Sequence, residues 1–366
     1  MTDSPNANAS LVLRLDAVVE NYRTCRRLSG ANVAAVVKAD GYGLGAIPVA
    51  QALHGMARCD NFVVARLQEG IALRRALPDV RILVLDGCPA GTPSALVAHN
   101  LTPILNSLQQ VEAWNAEART RRTKLDAVVH IDTGMNRLGL PADELSILSA
   151  EAGERLSGIN LVLIMSHLAF SEDPAARMNG AQLARFRAAL ASLPSAPASL
   201  SPSGGICLGR DYAFDLVRPG IALYGGNPQP TQSNLFKPVV RLTGRILQLR
   251  RVDKGESVGY GATFHTQRPA TLATVGLGYA DGLMRAIANR GAGAIGGIRA
   301  PVAGRVSMDV ITLDVTGIPG AEIGGEVEFI GDTIVVDEIA AAAGTATYEI
   351  LTNIGKRLPR EYVSAS

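Results

Sequence analysis

The sequence predicts an α/β protein with an N-terminal (β/α)8 TIM-like barrel and a C-terminal domain made mostly of β-strands. Two observations carry this prediction. In the first part of the chain, short apolar runs alternate with Ala-, Leu- and Arg-rich segments of helical spacing. After the breaker cluster Gly225–Pro230, longer β-type runs separated by glycine-containing turns take over.

The composition is that of a globular protein long enough for about two domains. Hydrophobic residues make up 47% of the 366 positions, and 35 basic side chains nearly cancel 33 acidic ones, which argues against nucleic acid as a partner. The polar stretch 1–10 has no signal-peptide pattern, and no apolar run is long enough to span a bilayer. The four cysteines lack metal-ligand spacing. We therefore expect a cytoplasmic protein with no metal site and a disordered segment 1–10.

The barrel is predicted over residues 11–228, beginning with a helix over Leu11–Leu28 that Gly30 ends. A doubly wound sheet would have fewer strands and a G-x-G-x-x-G turn, which this chain lacks. The eight predicted strands are Val33–Val37, Phe62–Ala65, Arg81–Leu85, Leu101–Leu105, Ala127–Ile131, Leu161–Met165, Ala198–Leu200 and Leu216–Val217.

The second domain is predicted over residues 229–366. Its two short helices are predicted at Ile334–Ala343 and Tyr348–Ile354. Its main strands are predicted at Val239–Val252, Ala270–Leu277, Val302–Val315 and Glu326–Ile330.

Lys38 stands where a buried strand ends, and a glycine-rich turn follows it. A lone lysine at a strand end most often extends to solvent. Here the flanks are apolar, and burial lowers the pKa of a lysine, as Schiff-base chemistry requires. Lys38 is therefore a candidate to bind pyridoxal phosphate, although this stretch alone does not decide it.

Three more polar positions follow predicted barrel strands, where the chemistry of such barrels is found. Ser203 and Gly220-Ile221 follow the seventh and eighth strands, whose loops commonly hold a phosphate. Arg218 is a permanent cation that either faces a cofactor nitrogen or forms a surface ion pair. His167 would serve beside it or be an ordinary rim histidine.

Three further candidates have equally open alternatives. Arg137, in the stretch Asp132–Gly139, either binds a substrate carboxylate or is a solvated arginine. Tyr260 and Tyr279 each lie in a glycine-rich turn of the second domain, as site residues or as packing residues at a domain interface.

Together these stretches resemble the alanine racemases over nearly the whole chain. The resemblance is carried by motifs in the same order as in that family: AVVKADGYG at 35–43, DTGMNRLG at 132–139, SH at 166–167, VRPGIALYG at 217–225, GYG at 259–261, GYADG at 278–282 and GRVSMD at 304–309.

The resemblance implies interconversion of L- and D-alanine for peptidoglycan by a head-to-tail homodimer with pyridoxal 5'-phosphate. Lys38 would form an aldimine with the cofactor and act as one base, and Tyr260 from the other subunit would be the second. The cofactor phosphate would be held by Tyr42, Ser203, Gly220, Ile221 and Tyr348. Arg218, backed by His167, would contact the pyridine nitrogen. The substrate carboxylate would meet Arg137 and Met308, with Tyr279 and Asp309 at the entrance.

The sequence departs from the family pattern at two positions. His130 stands where the family often has a lysine, which leaves the orientation of Arg137 open. Pro202-Ser203 replaces the usual Asn-Ser but keeps the hydroxyl. Three alternative functions are a racemase of broader range, a decarboxylase on a similar barrel and a non-enzymatic pyridoxal phosphate carrier. The motifs around Tyr260 and Arg137 argue against a decarboxylase. The second domain with Tyr260 argues against a carrier, because carriers of this type lack such a domain.

Overall fold

The computed structural model describes residues 8–364 of the chain. The chain divides into two compact units. Among the described residues, the barrel unit comprises Val19–Leu223 and Asn227–Phe236, and the β unit comprises 8–18, Tyr224–Gly226 and 237–364. None of the helices between residues 8 and 364 is sufficiently long and apolar to cross a membrane.

The prediction for the amino-terminal segment is wrong at Ala9 and Ser10, and so is the predicted helix start at Leu11. Strand β1 (Ala9–Arg14) precedes helix α1 (Leu15–Ser29), so the helix begins later than expected. Alternate residues of β1 are buried, which is the period of a strand with one face in a core. Ala9 and Ser10 therefore lie in a strand and not in a disordered segment, while residues 1–7 of that segment lie outside the described residues.

The barrel wall consists of short strands that are buried on both faces, as is typical of parallel sheets covered by helices. They are β2 (Asn32–Val33), β3 (Ala35–Val36), β4 (Asn61–Val64), β5 (Arg81–Val84), β6 (Thr102–Leu105), β7 (Leu125–His130), β8 (Ile159–Met165), β9 (Ala198–Ser199) and β10 (Leu216–Val217).

The parallel strands close into a barrel. Strands β3 to β9 form a seven-stranded sheet in chain order. β10 pairs in parallel with β2, and a parallel bridge between Pro202 and Arg218 joins the end of β9 to the end of β10. β2 and β3 belong to one extended run, whose middle residue Ala34 donates its N–H to Val217 O at 2.9 Å. The eight predicted strand positions and the barrel are confirmed.

The helices of the barrel unit lie between successive strands, as parallel pairing requires. After α1 they are α2 (Lys38–Tyr42, a single turn with left-handed backbone), α3 (Ala46–Ala57), α4 (Leu67–Ala76), α5 (Pro93–Ala98), α6 (Leu108–Arg121), α7 (Ala142–Ala150), α8 (Ala152–Arg155), α9 (Arg177–Ser192) and α10 (Ser203–Cys207).

The β unit is built around a long strand, β11, which pairs with β1 and with two later strands, β14 and β18. Its strands are β11 (Val240–Val252), β12 (Ser257–Val258), β13 (Phe264–His265), β14 (Ala270–Val275), β15 (Ala292–Ile295), β16 (Ile298–Pro301), β17 (Ile311–Asp314), β18 (Glu326–Ile330) and β19 (Arg360–Val363). Two helices, α11 (Val336–Ala343) and α12 (Thr347–Thr352), complete it.

Three details of the second domain differ from the prediction. The long strand expected at Val302–Val315 is wrong, because only β17 at its end is a strand and Gly304 turns the chain with φ +87°. The hairpin β15–β16 was not predicted, although the pair Gly296-Gly297 at its turn is a strong hairpin signal. The loop Asn227–Phe236 groups with the barrel unit and not with the β unit, unlike the predicted boundary after residue 228.

Candidate active site

One rim of the barrel carries four of the polar residues singled out from the sequence. Lys38, His167 and Ser203 follow β3, β8 and β9, and Arg218 directly follows β10. Because parallel strands all end at the same side of a barrel, these side chains share the rim where barrel enzymes place their chemistry.

The amine of Lys38 lies half-buried at this rim. Burial lowers the pKa of Lys38, and the nearby Arg137 guanidinium lowers it further, while the carboxylates of Glu69 and Asp86 oppose the shift. A lowered pKa raises the fraction of neutral amine, which is the nucleophilic and basic form.

Arg218 is buried, with only 4% of its surface exposed. Its Nε donates to Ser199 Oγ at 2.9 Å, and its Nη2 donates to the carbonyl oxygens of Ser166 and Leu200. No ion pair within residues 8–364 involves Arg218, Arg137 or Lys38. Burial lowers the pKa of Arg218 to about 10, so it stays charged at neutral pH. A rim with three cations and no paired carboxylate suits an anionic ligand.

His167 faces Arg218 and is held as a neutral imidazole. Its Nδ1 lies 3.4 Å from Arg218 Nη1. Since a guanidinium only donates, Nδ1 accepts and the ring proton is on Nε2. Burial, and then Arg218 and Arg137, hold the pKa of His167 well below its usual value, with smaller contributions from His130 and Lys38. These four groups therefore lie close enough to act on one ring.

His130, at the end of β7, has a fixed partner inside the barrel. The amide nitrogen of Asn106 donates to Leu85 O and Ile104 O, both at 2.9 Å. Asn106 Oδ1 therefore faces His130 Nδ1, 2.7 Å away, and accepts a hydrogen bond from the Nδ1–H group. Burial, followed by the Arg218 cation, lowers the pKa of His130 to about 3. A neutral His130 supplies no countercharge to the guanidinium of Arg137.

We expect the buried neutral His130 to make the protein less stable in acid. Its folded pKa lies below the unfolded value of 6.5, so the unfolded chain binds the extra proton and stability falls as pH drops below 6.5 towards about 3. His130→Gln keeps a donor for Asn106 but does not titrate. Between about pH 6 and pH 4, its free energy of unfolding should fall less steeply than the wild type's, by up to about 1.4 kcal/mol per pH unit. Denaturant unfolding at several pH values measures both slopes, and equal slopes would contradict a neutral, buried His130.

Arg137 is exposed on a loop that the backbone shapes tightly. The carboxylate of Asp132 accepts N–H groups from Gly134 at 2.8 Å, Met135 at 2.9 Å and Asn136 at 3.0 Å. These hydrogen bonds to Asp132 fix the loop in a turn just after β7. The Arg137 guanidinium therefore lies at the same rim of the barrel as Lys38 and Arg218.

The loops after β9 and β10 form a cluster of hydroxyl and N–H donors. Ser203 Oγ accepts the N–H of Gly220 at 2.9 Å and that of Ala222 at 3.2 Å, with Ile221 between them. Gly220 also packs against Tyr42, since a Cβ at Gly220 would overlap the Tyr42 hydroxyl. Because Ser203 Oγ accepts these two N–H groups, its own proton is left to donate, and a serine and a tyrosine hydroxyl at this turn suit a phosphate monoester.

The remaining predicted site residues belong to the β unit and expose their side chains. Tyr260 lies between Gly259 and Gly261, which have φ of +73° and +72°, in a turn that the Arg305 side chain contacts. The exposed fractions are 71% for Tyr260, 54% for Met308, 47% for Tyr348 and 41% for Tyr279.

Three of these β-unit residues are brought together by two loops. Tyr279 donates its N–H to Ser307 O at 3.0 Å, and Ala280 donates to Met308 O at 2.9 Å. Arg357 then bridges Asp281 at 2.6 Å and Asp309 at 2.8 Å. The structure thus places Tyr279, Met308 and Asp309 side by side within the β unit.

Sequence reasoning missed two residues that hold the rim in place. Asn106 follows β6 directly, where a polar residue at the end of a barrel strand is the available signal. Glu69 is the third residue of α4, and an acidic residue at this position indicates a capped helix start. Neither signal reveals the partner across the barrel.

Two family models match the chain: the alanine racemase N-terminal domain over residues 13–228 and the alanine racemase C-terminal domain over residues 239–362. A catabolic alanine racemase from Agrobacterium fabrum is 47% identical, over 98% of this chain and 92% of its own length. An alanine racemase from Rhodospirillum rubrum is 45% identical, over 99% of this chain and 98% of its own.

Solved structures agree with these relatives. An alanine racemase from Bartonella henselae with covalently bound pyridoxal phosphate superposes with a TM-score of 0.93 at 39% identity, covering 98% of this chain and all of that one (100%). A biosynthetic alanine racemase from Pseudomonas aeruginosa gives 0.92 at 35% identity, covering 98% and 100%. The two alanine racemase family models match the two halves of the chain in order, and the solved alanine racemases share its fold over nearly their whole length. This chain therefore belongs to the alanine racemase family.

Proposed function

We propose that this protein interconverts L- and D-alanine with pyridoxal 5'-phosphate, using Lys38 and Tyr260 as bases on opposite faces of the substrate. Its product D-alanine would supply peptidoglycan synthesis in the cytoplasm. The observation that carries the proposal is the rim at which Lys38, Arg218 and the Ser203 donor cluster meet. This rim offers an amine of lowered pKa, a buried unpaired cation and a phosphate-type donor set.

The residues present fit this cofactor. Lys38 would hold it covalently, and Arg218 supported by His167 would donate to its pyridine nitrogen. Its phosphate would be held by Tyr42, Ser203, Gly220, Ile221 and Tyr348. When bound, pyridoxal phosphate supplies an electron sink for the pair left on Cα after proton removal. Arg218 stays charged at neutral pH and would donate a hydrogen bond to the pyridine nitrogen, which leaves that nitrogen unprotonated. The electron sink would then be weak, which disfavours transamination.

The two bases and the substrate contacts complete the assignment. In one direction the neutral Lys38 amine, released from the cofactor by the substrate's own amine, would take the α-proton on one face while the Tyr260 hydroxyl gives a proton on the other. In the reverse direction the Tyr260 phenolate would take the proton and the Lys38 ammonium would give one. Inversion requires both, because a single group on one face returns the proton to the side it left. Arg137 and Met308 would contact the substrate carboxylate, with Tyr279 and Asp309 at the entrance.

We further propose a head-to-tail homodimer in which Tyr260 completes the site of the other subunit. A tyrosine that is 71% exposed in a turn between two glycines suits a group that acts on a neighbouring chain. The site then requires two chains.

Racemisation of a panel of single-enantiomer amino acids, followed by chiral chromatography, tests the activity. We expect L-alanine and D-alanine each to be converted to an equal mixture, with serine converted much more slowly. Comparable rates on serine would indicate a racemase of broader range. Unchanged alanine enantiomers with cofactor-loaded protein would contradict the proposal.

A further inference from the structure

The single carboxylate of Glu69, in the first turn of α4, holds three backbone N–H groups. Its Oε2 accepts from Ala65 at 2.8 Å and from Arg66 at 3.1 Å, which caps the start of the helix. Its Oε1 accepts the N–H of Ala39, in a different segment, at 2.7 Å. This N–H belongs to the peptide bond directly after Lys38, so Glu69 fixes the peptide plane next to that lysine.

The four residues after Lys38 form a turn of left-handed helix. Their φ angles are +53° at Ala39, +54° at Asp40, +61° at Gly41 and +58° at Tyr42. Only glycine adopts this conformation freely, and successive left-handed residues with a Cβ are strained. Such strain persists only where surrounding contacts hold it.

The contacts that hold this turn divide into local and remote ones. Backbone bonds from Gly41 to Val37 O at 2.9 Å and from Gly43 to Ala39 O at 2.8 Å lie within the turn itself. The bond from Ala39 N–H to Glu69 reaches the turn from another helix. Glu69 therefore ties the strained turn to the rigid start of α4.

We propose that Glu69 is a positioning residue for Lys38. The Glu69 carboxylate holds the left-handed turn and thereby sets the direction in which the Lys38 side chain leaves the backbone. This inference rests on the proposed function, in which Lys38 binds the cofactor. The same turn carries Tyr42, whose hydroxyl packs against Gly220 in the donor cluster. Glu69 thus positions both the lysine and one wall of the cluster.

The test compares Glu69→Ala with Glu144→Ala in the cofactor-loaded enzyme. Glu144 is a matched control because its Oε2 also accepts one N–H at a helix start, that of Leu108 at 2.8 Å, away from Lys38. We expect Glu69→Ala to lower kcat by about 10- to 100-fold, because small misplacements of reacting groups have effects of this size. KM for alanine should change less, and Glu144→Ala should keep kcat near the wild-type value.

A second substitution separates positioning from capping and from charge. Glycine tolerates φ above zero, so the turn should need Glu69 less when residue 39 is glycine. Adding Ala39→Gly to Glu69→Ala should therefore raise kcat by about fivefold or more, after correction for the change in kcat that Ala39→Gly causes in the wild-type background. The absorbance band of lysine-bound cofactor should regain its wild-type intensity in the double variant, whereas any shift of its pH profile that comes from the lost Glu69 charge should remain.

Two outcomes would overturn the inference. Equal kcat values in Glu69→Ala and Glu144→Ala would show that Glu69 only caps a helix. A loss of kcat that Ala39→Gly fails to reverse, together with a shifted pH profile, would show that the carboxylate acts through its charge on Lys38. A wild-type protein with neither the absorbance band nor racemisation would instead overturn the proposed function, so the two failures are distinguishable.

Discussion

Replacing Lys38 by alanine should abolish both the absorbance band of lysine-bound pyridoxal phosphate and the racemisation of alanine. The substitution removes the only amine at the rim whose pKa burial and Arg137 lower within the described residues. It takes away the attachment point of the cofactor and one of the two bases. Turnover should fall by at least about 10³-fold, in the upper range for losing a positioned acid–base group.

Absorbance spectra and chiral chromatography of the Lys38→Ala protein measure this result. Lys124→Ala is the matched control, because Lys124 is an exposed lysine just before β7, at the opposite end of the strands. Its band and turnover should match the wild type. A Lys38→Ala protein that keeps the covalent band would show that another lysine binds the cofactor.

Replacing Tyr260 by phenylalanine should remove most turnover while the cofactor band remains. The change deletes one hydroxyl from an exposed side chain in a glycine turn, so the fold and the rim of the barrel should be unaffected. Losing one of two positioned acid–base groups lowers the rate by about 10²- to 10⁴-fold. Proton exchange at Cα should become one-sided, because Lys38 still exchanges the proton on its own face.

Incubation of each alanine enantiomer in D₂O, with deuterium at Cα measured by mass spectrometry, detects this asymmetry. Tyr212→Phe, a half-buried tyrosine of the barrel unit, is the control and should exchange both enantiomers as the wild type does. If Tyr260→Phe also exchanges both enantiomers at wild-type rates, Tyr260 is not the second base.

Much of the barrel could be predicted because the continuous apolar sequence of each strand indicates that the strand is buried on both faces. Each of these runs of Val, Ile, Leu and Ala ends in a polar residue and precedes a helical pattern, which is typical of a strand in a parallel sheet. Eight such strands alternating with helices are typical of a (β/α)8 barrel. β1 was missed because Leu11 to Arg14 leads straight into α1, so one apolar pattern covers two elements. The alternation of Ala9, Leu11 and Leu13 was the available signal, but its partners in β11 and β19 are remote in sequence.

The rim residues could be predicted by type and position, and their fine geometry could not. Any residue that follows a parallel strand reaches the same rim, which places Lys38 and Arg218 without knowledge of side-chain contacts. The protonation of His130 depends on the orientation of Asn106, which its own bonds to two carbonyl groups decide. The left-handed backbone at Ala39 and Asp40 opposes local preference, and one of the contacts that hold it comes from Glu69, thirty residues away in sequence from Ala39, so it could not be predicted from the local sequence.

The most direct test of a site shared by two chains is to co-express the inactive Lys38→Ala and Tyr260→Phe chains and to measure alanine racemisation. If Lys38 of one chain works with Tyr260 of the other, each mixed dimer contains one intact site and one doubly altered site. Random pairing should then restore about a quarter of the wild-type activity per chain, while each variant alone keeps at most about a hundredth of it. No recovery from mixed dimers isolated with two different affinity tags would contradict the shared site.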